Sequence, residues 1–195
     1  MENEKNLKAE EKVESTGRSL WELARFALLA IAIVVPIRIF IAQPFVVSGS
    51  SMFPTFEDKQ YLIVDEISYK LGNINRGDVV IFKYPLDTKK YYIKRIIGLP
   101  NEIVDIKNGK VTITNEENPE GFEIDDSFIK NISKDIGHYE LQDDEYFVLG
   151  DNRTNSSDSR FWGPVPKKLL VGRAFLRLLP ISKVSVFPGE HTLLN

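Results

Sequence analysis

Two stretches of this chain carry residue types that could do chemistry together. Ser48-Gly49-Ser50-Ser51-Met52-Phe53-Pro54-Thr55 sets three serine hydroxyls on a glycine-containing turn, and Tyr91-Tyr92-Ile93-Lys94-Arg95-Ile96-Ile97-Gly98 sets two basic side chains in an apolar run. A serine hydroxyl is a weak nucleophile until a base takes its proton. The chain has no cysteine and only two histidines, His138 and His191, neither inside a motif, so Lys94 is the candidate base. An exposed lysine holds its proton up to ~10.4, and desolvation or a neighbouring positive charge must bring that down toward ~7–8 before it can accept a proton at neutral pH. Burial in an apolar strand meets that condition. On chemistry alone Ser48, Ser50 and Ser51 are all eligible nucleophiles.

Strand alternation puts Tyr92, Lys94 and Ile96 on one face and Ile93, Arg95 and Ile97 on the other. One basic side chain must then face inward, or both faces must be partly wet. A lysine that serves as a base explains position 94 better than an exposed edge strand does, and leaves Arg95 a structural role.

Ser51-Met52-Phe53-Pro54-Thr55 is followed by Arg76-Gly77-Asp78-Val79-Val80-Ile81-Phe82, by Lys94-Arg95-Ile96-Ile97-Gly98-Leu99-Pro100, and by Gly150-Asp151-Asn152-Arg153-Thr154-Asn155-Ser156-Ser157-Asp158-Ser159-Arg160. In this order, behind an apolar segment, the four stretches resemble the successive boxes of type I signal peptidases, from about Phe26 to Leu178. The resemblance implies a serine endopeptidase that cuts signal peptides from exported preproteins after small residues, with Ser51 as nucleophile and Lys94 as base. It also implies that Ser156 orients the amine, and that Asp151, Asp158 and Arg160 form a supporting ion network. A neutral hydroxyl suits the place beside the base, because a carboxylate there would raise the lysine pKa.

By the same resemblance Phe45, Val47, Met52, Phe56, Tyr92 and Ile93 line two shallow apolar subsites. Some relatives carry a serine two residues before the nucleophile as an oxyanion donor. This chain has Gly49 there, so main-chain donors at Gly49 and Ser51 are expected instead, with Ser50 or a water as substitutes. No cofactor or metal is called for. The expected partners are preprotein signal peptides, membrane lipid and the protein-export translocase. Two rivals are a Ser/Lys self-cleaving protein and an inactive scaffold of the same fold.

These residues need elements to position them. At 195 residues the chain suits one domain with a core plus a tail and an anchor. A net charge of -3 argues against nucleic acid, and the absence of cysteine excludes disulfides and thiolate metal sites. Residues 1–18 read as a disordered cytoplasmic tail. Residues 19–43 read as a transmembrane anchor of about the ~20 residues a bilayer requires, with Arg25 and Arg38 near its ends. Lys5, Lys8, Lys12, Arg18 and Arg25 precede the core against Arg38 and Lys59 after it, which places the tail inside and the rest outside.

Residues 44–195 read as a mainly β, antiparallel catalytic domain. Strands are expected at 61–64, 78–84, 91–97, 102–106, 110–114, 145–149 and 169–178, with a hairpin at Asn108-Gly109. Residues 115–142, polar and acidic, read as a small surface insertion.

Overall fold

The computed structural model describes residues 21–32, 34, 42–67, 69, 72–129, 131–191 and 193. It divides into two compact units, 1–41 and 42–195. In the first unit residues 21–32 and 34 are helical. Among the described residues no helix is long and apolar enough to cross a membrane. The expected tail and much of the expected anchor lie outside the described residues. The end of the expected anchor differs: Ala42 and Gln43 belong to strand β1, Ala42–Val46. Pro44 fits there because β1 ends its sheet and pairs only with β2, so the missing N–H breaks no ladder.

The second unit is built from antiparallel strands. Its larger sheet contains β1, β2 (Tyr61–Asp65), β3 (Val79–Tyr84), β4 (Asp87–Gly98), β9 (Glu145–Leu149), β10 (Val165–Pro166), β11 (Leu170–Leu179) and β12 (Ser185–Val186). The order is β1-β2-β11-β3-β4-β9-β10, with β12 on β11. The second sheet, ordered β7-β6-β5-β8, is formed by β5 (Ile103–Lys107), β6 (Lys110–Thr114), β7 (Phe122–Glu123) and β8 (Ile136–Glu140). Asn108 and Gly109 turn β5 into β6 with positive φ, as an Asn-Gly hairpin requires.

The expected strands are present within a few residues of their expected bounds, and β4 starts earlier, at Asp87. The stretch 115–142 lies mostly at the surface, supplies β7 and β8, and places Ile124, Ile129 and Leu141 in the interior. Its apolar residues are sparse: Ile124, Ile129 and Leu141 are buried, while Ile132 and Ile136 are exposed.

The central strands are buried on both faces. Val79 and Ile81 of β3 join one apolar cluster with Met52, Phe56 and Leu62, while Val80 and Phe82 join another with Ile96 and Val148. That double burial is why β3 reads as an unbroken apolar run. It also resolves the alternation at Lys94-Arg95 in a way the sequence did not indicate: both side chains are buried, at 4% and 0% exposure.

Arg95 is neutralised in place. Its Nε and Nη2 donate to the two oxygens of Asp151 at 2.9 and 2.6 Å, and Nη1 donates to the carbonyls of Gly77 and Gly189. Its guanidinium also lies 4.8 Å from the Phe128 ring centroid. Breaking such a pair from one side strands a buried charge. Arg95→Ala is therefore expected to lower the unfolding free energy by about 3–5 kcal/mol. The urea midpoint checks this, and a loss below about 1 kcal/mol, the level of a surface pair, would show that Asp151 finds another partner.

Candidate active site

Two turns and one strand meet at Ser51. The first turn leaves β1 through Val47 and is fixed by the Val47 amide on the Gln60 carbonyl and the Lys59 amide on the Val47 carbonyl, both 2.9 Å. Gly49 takes φ +90, a conformation open to glycine at little cost. Met52 and Phe56, at 1% and 0% exposure, are driven into the core beneath. The hydrophobic residues of the turn thus anchor it, and half-buried Ser51 is held above them.

The second turn, after β9, grips the first from outside. The Asn152 amide donates to the Ser51 carbonyl at 2.9 Å, Asn152 Nδ2 donates to the Ser50 carbonyl at 3.1 Å, and Asn155 Nδ2 donates to Ser50 Oγ at 2.8 Å. Gly150 is required by close approach, because a Cβ there would press on the Ser51 carbonyl oxygen and on Ser156 Oγ.

The strand is β4. Lys94 Nζ donates to Ser51 Oγ at 2.8 Å and to the Ile93 carbonyl at 2.9 Å, and lies 5.3 Å from the Tyr92 ring centroid. Among the described residues it has no carboxylate partner. Burial pulls its pKa down from 10.5 to about 8, against the charges of Asp158 and Asp151, which act to raise it. A group tuned this way at a serine hydroxyl can remove the serine proton near neutral pH.

Beside the pair lies a cleft of about 480 Å³, lined by Phe45, Val47, Tyr92 and Ile93 of the expected set and also by Val46, Ser48, Leu62, Ile81, Lys90, Tyr91 and Ser157. Among the described residues there is no cluster of three or more His, Asp or Glu able to hold a metal.

Comparison with known proteins gives the family. The family described as "Signal peptidase, peptidase S26" matches residues 20–179. The chain belongs to the peptidase S26 family of signal peptidases. It is 37% identical to a probable signal peptidase I-2 of Synechocystis sp. over 92% of this chain and 83% of that one. It is 36% identical to a signal peptidase I of Bacillus amyloliquefaciens over 82% of this chain and 85% of that one. A solved signal peptidase I from Enterococcus faecalis is also similar, at 29% identity and a TM-score of 0.43, covering 52% of this chain and 96% of that one.

Not every residue expected of a signal peptidase stands where it was expected. Ser156 Oγ is buried without a partner and makes no hydrogen bond to Lys94. It packs against Gly150, while the lysine's bonds go to Ser51 and the Ile93 carbonyl. The expected Asp151, Asp158 and Arg160 network is two separate pairs. Asp151 is held by Arg95 and by the Thr55 hydroxyl at 2.5 Å, whereas Arg160 grips both oxygens of Asp158 at 2.8 Å and reaches on to Asp135. Asp158 also accepts the Gly150 amide at 3.0 Å, so this pair shapes the gripping turn.

The Gly49 amide donates to Asp58 Oδ1 at 2.9 Å and is spent on the turn, unlike the free donor expected of it. Met52 and Phe56 are core beneath the cleft rather than its lining. Sequence reasoning missed Asn152 and Asn155, which were in view inside the Gly150–Arg160 stretch, and Lys90, which directly precedes the Tyr91–Gly98 stretch.

Two expectations follow from this site. Gly150→Ala should push the Ser51 carbonyl aside and cost about 100-fold in kcat/KM on a peptide substrate, while circular dichroism remains that of the parent. The second concerns stability. The unfolded lysine keeps its proton up to 10.5 and the folded one only to about 8, so between these values the unfolded chain binds more protons and stability rises with pH. Below that window the buried amine costs on the order of 3 kcal/mol, at ~1.4 kcal/mol per tenfold. Lys94→Met should therefore raise the melting temperature at pH 6, with the gain shrinking as pH climbs through the window. Parallel thermal melts of the two proteins from pH 6 to 10 check this.

Proposed function

We propose that this chain is a membrane-bound serine endopeptidase with a Ser51/Lys94 dyad, which removes N-terminal signal peptides from exported preproteins by cutting after small residues. The observation that carries the reading is the 2.8 Å contact between Lys94 Nζ and Ser51 Oγ, with the amine desolvated to a pKa of about 8. Contact between the two also favours an enzyme over an inactive scaffold.

In the reaction neutral Lys94 takes the Ser51 proton as Oγ attacks the peptide carbonyl, and the new oxyanion accepts from the Ser51 amide. The ammonium then gives its proton to the leaving amine and an ester forms on Ser51. Water, deprotonated by the same amine, attacks the ester, and the proton returns to Ser51 as the ester breaks. Arg95 and Arg160 pair Asp151 and Asp158, which limits the pull of either carboxylate on the base.

The substrate fits as an extended strand. From Asp87 to Lys94, β4 has β3 on one side and no strand on the other, and β1 is likewise unpaired at its outer edge. Free backbone donors and acceptors on these edges accept a strand. Phe45 and Tyr91, packed on each other at 5.4 Å between ring centroids, give the cleft an apolar surface for substrate side chains. The anchor, with residues 1–18 inside and the catalytic unit outside, holds the site at the membrane beside the export translocase. No cofactor or metal is needed for these steps.

Ser51→Ala and Lys94→Ala are each expected to abolish cleavage of a preprotein in detergent, and the double variant to lose little more, since the pair acts as a unit. The kcat/KM of the parent should rise through a limb near pH 8, as the free-enzyme amine loses its proton. Activity retained by either single variant, or a limb near the ~10.4 of an exposed lysine, refutes the dyad.

A further inference from the structure

The cleft ends in a charge that the proposed chemistry does not use. Residues 90–94 of β4 all line the cleft, and Lys90 sits where β4 leaves its regular pairing with β3, just before Tyr91. Lys94 is buried at the nucleophile, Tyr92 is half-buried and stacked on Tyr84 with ring centroids 4.5 Å apart, and Lys90 is exposed at the far mouth. The lining gathers from residues 45–48 and 90–94, so the cleft runs from Ser51 toward Lys90 and Val46. On the endopeptidase reading, the half of the substrate that stays bound to Ser51 as the ester lies in this cleft. That places the residues before the cut alongside β4 from Lys94 toward Lys90.

We propose that Lys90 is a specificity-determining residue, whose ammonium reads the charge of the substrate side chain about four residues before the scissile bond and favours an acidic residue over a basic one. Lys90 lies four residues along β4 from Lys94, a span of at most about 13 Å, which an extended peptide covers in about four residues. This inference rests on the endopeptidase reading. The groups that compete for the ammonium are local. Asp87 Oδ2 lies 3.1 Å from Lys90 Nζ in an exposed pair, and Lys83 and Lys89 flank the same hairpin as exposed positive charges. A substrate carboxylate meets a region with more positive charge than Asp87 offsets.

The experiment uses the full chain in detergent and three peptides that differ only in Glu, Gln or Lys at the fourth residue before the cut. For the parent, kcat/KM should fall in the order Glu, Gln, Lys by about two- to five-fold per step, the scale of an exposed charge pair, and the order should flatten in high salt. Lys90→Gln should flatten it, Lys90→Glu should invert it, and Asp87→Asn should steepen it by freeing the ammonium. The readout is the ratio of kcat/KM among the three peptides within each variant, whatever that variant's rate on the Gln peptide. An order that survives unchanged in Lys90→Glu overturns the proposal. Cleavage of the Gln peptide by Ser51→Ala would overturn the endopeptidase reading instead, so the two failures are separable.

Discussion

The structure depends on keeping one amine dry. Lys94 sits at 4% exposure with only a hydroxyl and a carbonyl oxygen as hydrogen-bond partners. Neither carries a full charge, so neither stabilises the ammonium as a carboxylate would, and desolvation dominates the pKa. The surroundings can be understood as what this requires. Two aspartates lie close enough to pull the value upward, and each is paired with an arginine in the structure, Asp151 with Arg95 and Asp158 with Arg160. Removing either arginine would therefore do two things, destabilise the fold and raise the lysine pKa.

Lys94 and Arg95 also show why two basic residues side by side in one strand are not equivalent. Opposite faces of β4 are both covered, so each side chain must shed its charge or match it. A guanidinium cannot lose its proton at ordinary pH, and its planar fork is suited to the bidentate clasp it makes with Asp151. An ammonium can lose its proton, and burial makes that loss easier. Exchanging the two would leave a permanently protonated guanidinium beside Ser51 with no carboxylate to match it.

Much of this was legible in the chain. The strands β2 to β6, β9 and β11 followed from apolar runs between Gly, Asn, Asp and Pro, and Asn108-Gly109 marked its hairpin, because these are local properties of the backbone. Ser51 and Lys94 could be paired because the sequence offered few other bases. What could not be read is of a different kind. Strands β7 and β8 are short and polar on one side, and exist because β6 and β5 have free edges to pair with. Which arginine holds which aspartate depends on how two distant turns are brought together. Asp151 could as easily have been given to Arg160 in its own loop as to Arg95. The same holds for Gly49, whose amide looked available until Asp58, nine residues on, was seen to take it.

The nucleophile turn is also an example of rigidity assembled from long-range bonds rather than from local propensity. Ser50 and Ser51 receive their fixing bonds from Asn152 and Asn155, about a hundred residues away, and Gly150 lets the two backbones approach. Thr55 on the same turn donates to Asp151, which is already held by Arg95, the neighbour of Lys94. The turn that carries Ser51, the strand that carries Lys94 and the gripping loop are thereby tied through one buried carboxylate. A loop-closure cost of this size is met only when the strands that carry the three segments have already paired. The site therefore forms with the completed sheet, and its geometry reports on the integrity of the whole β unit rather than on any one motif.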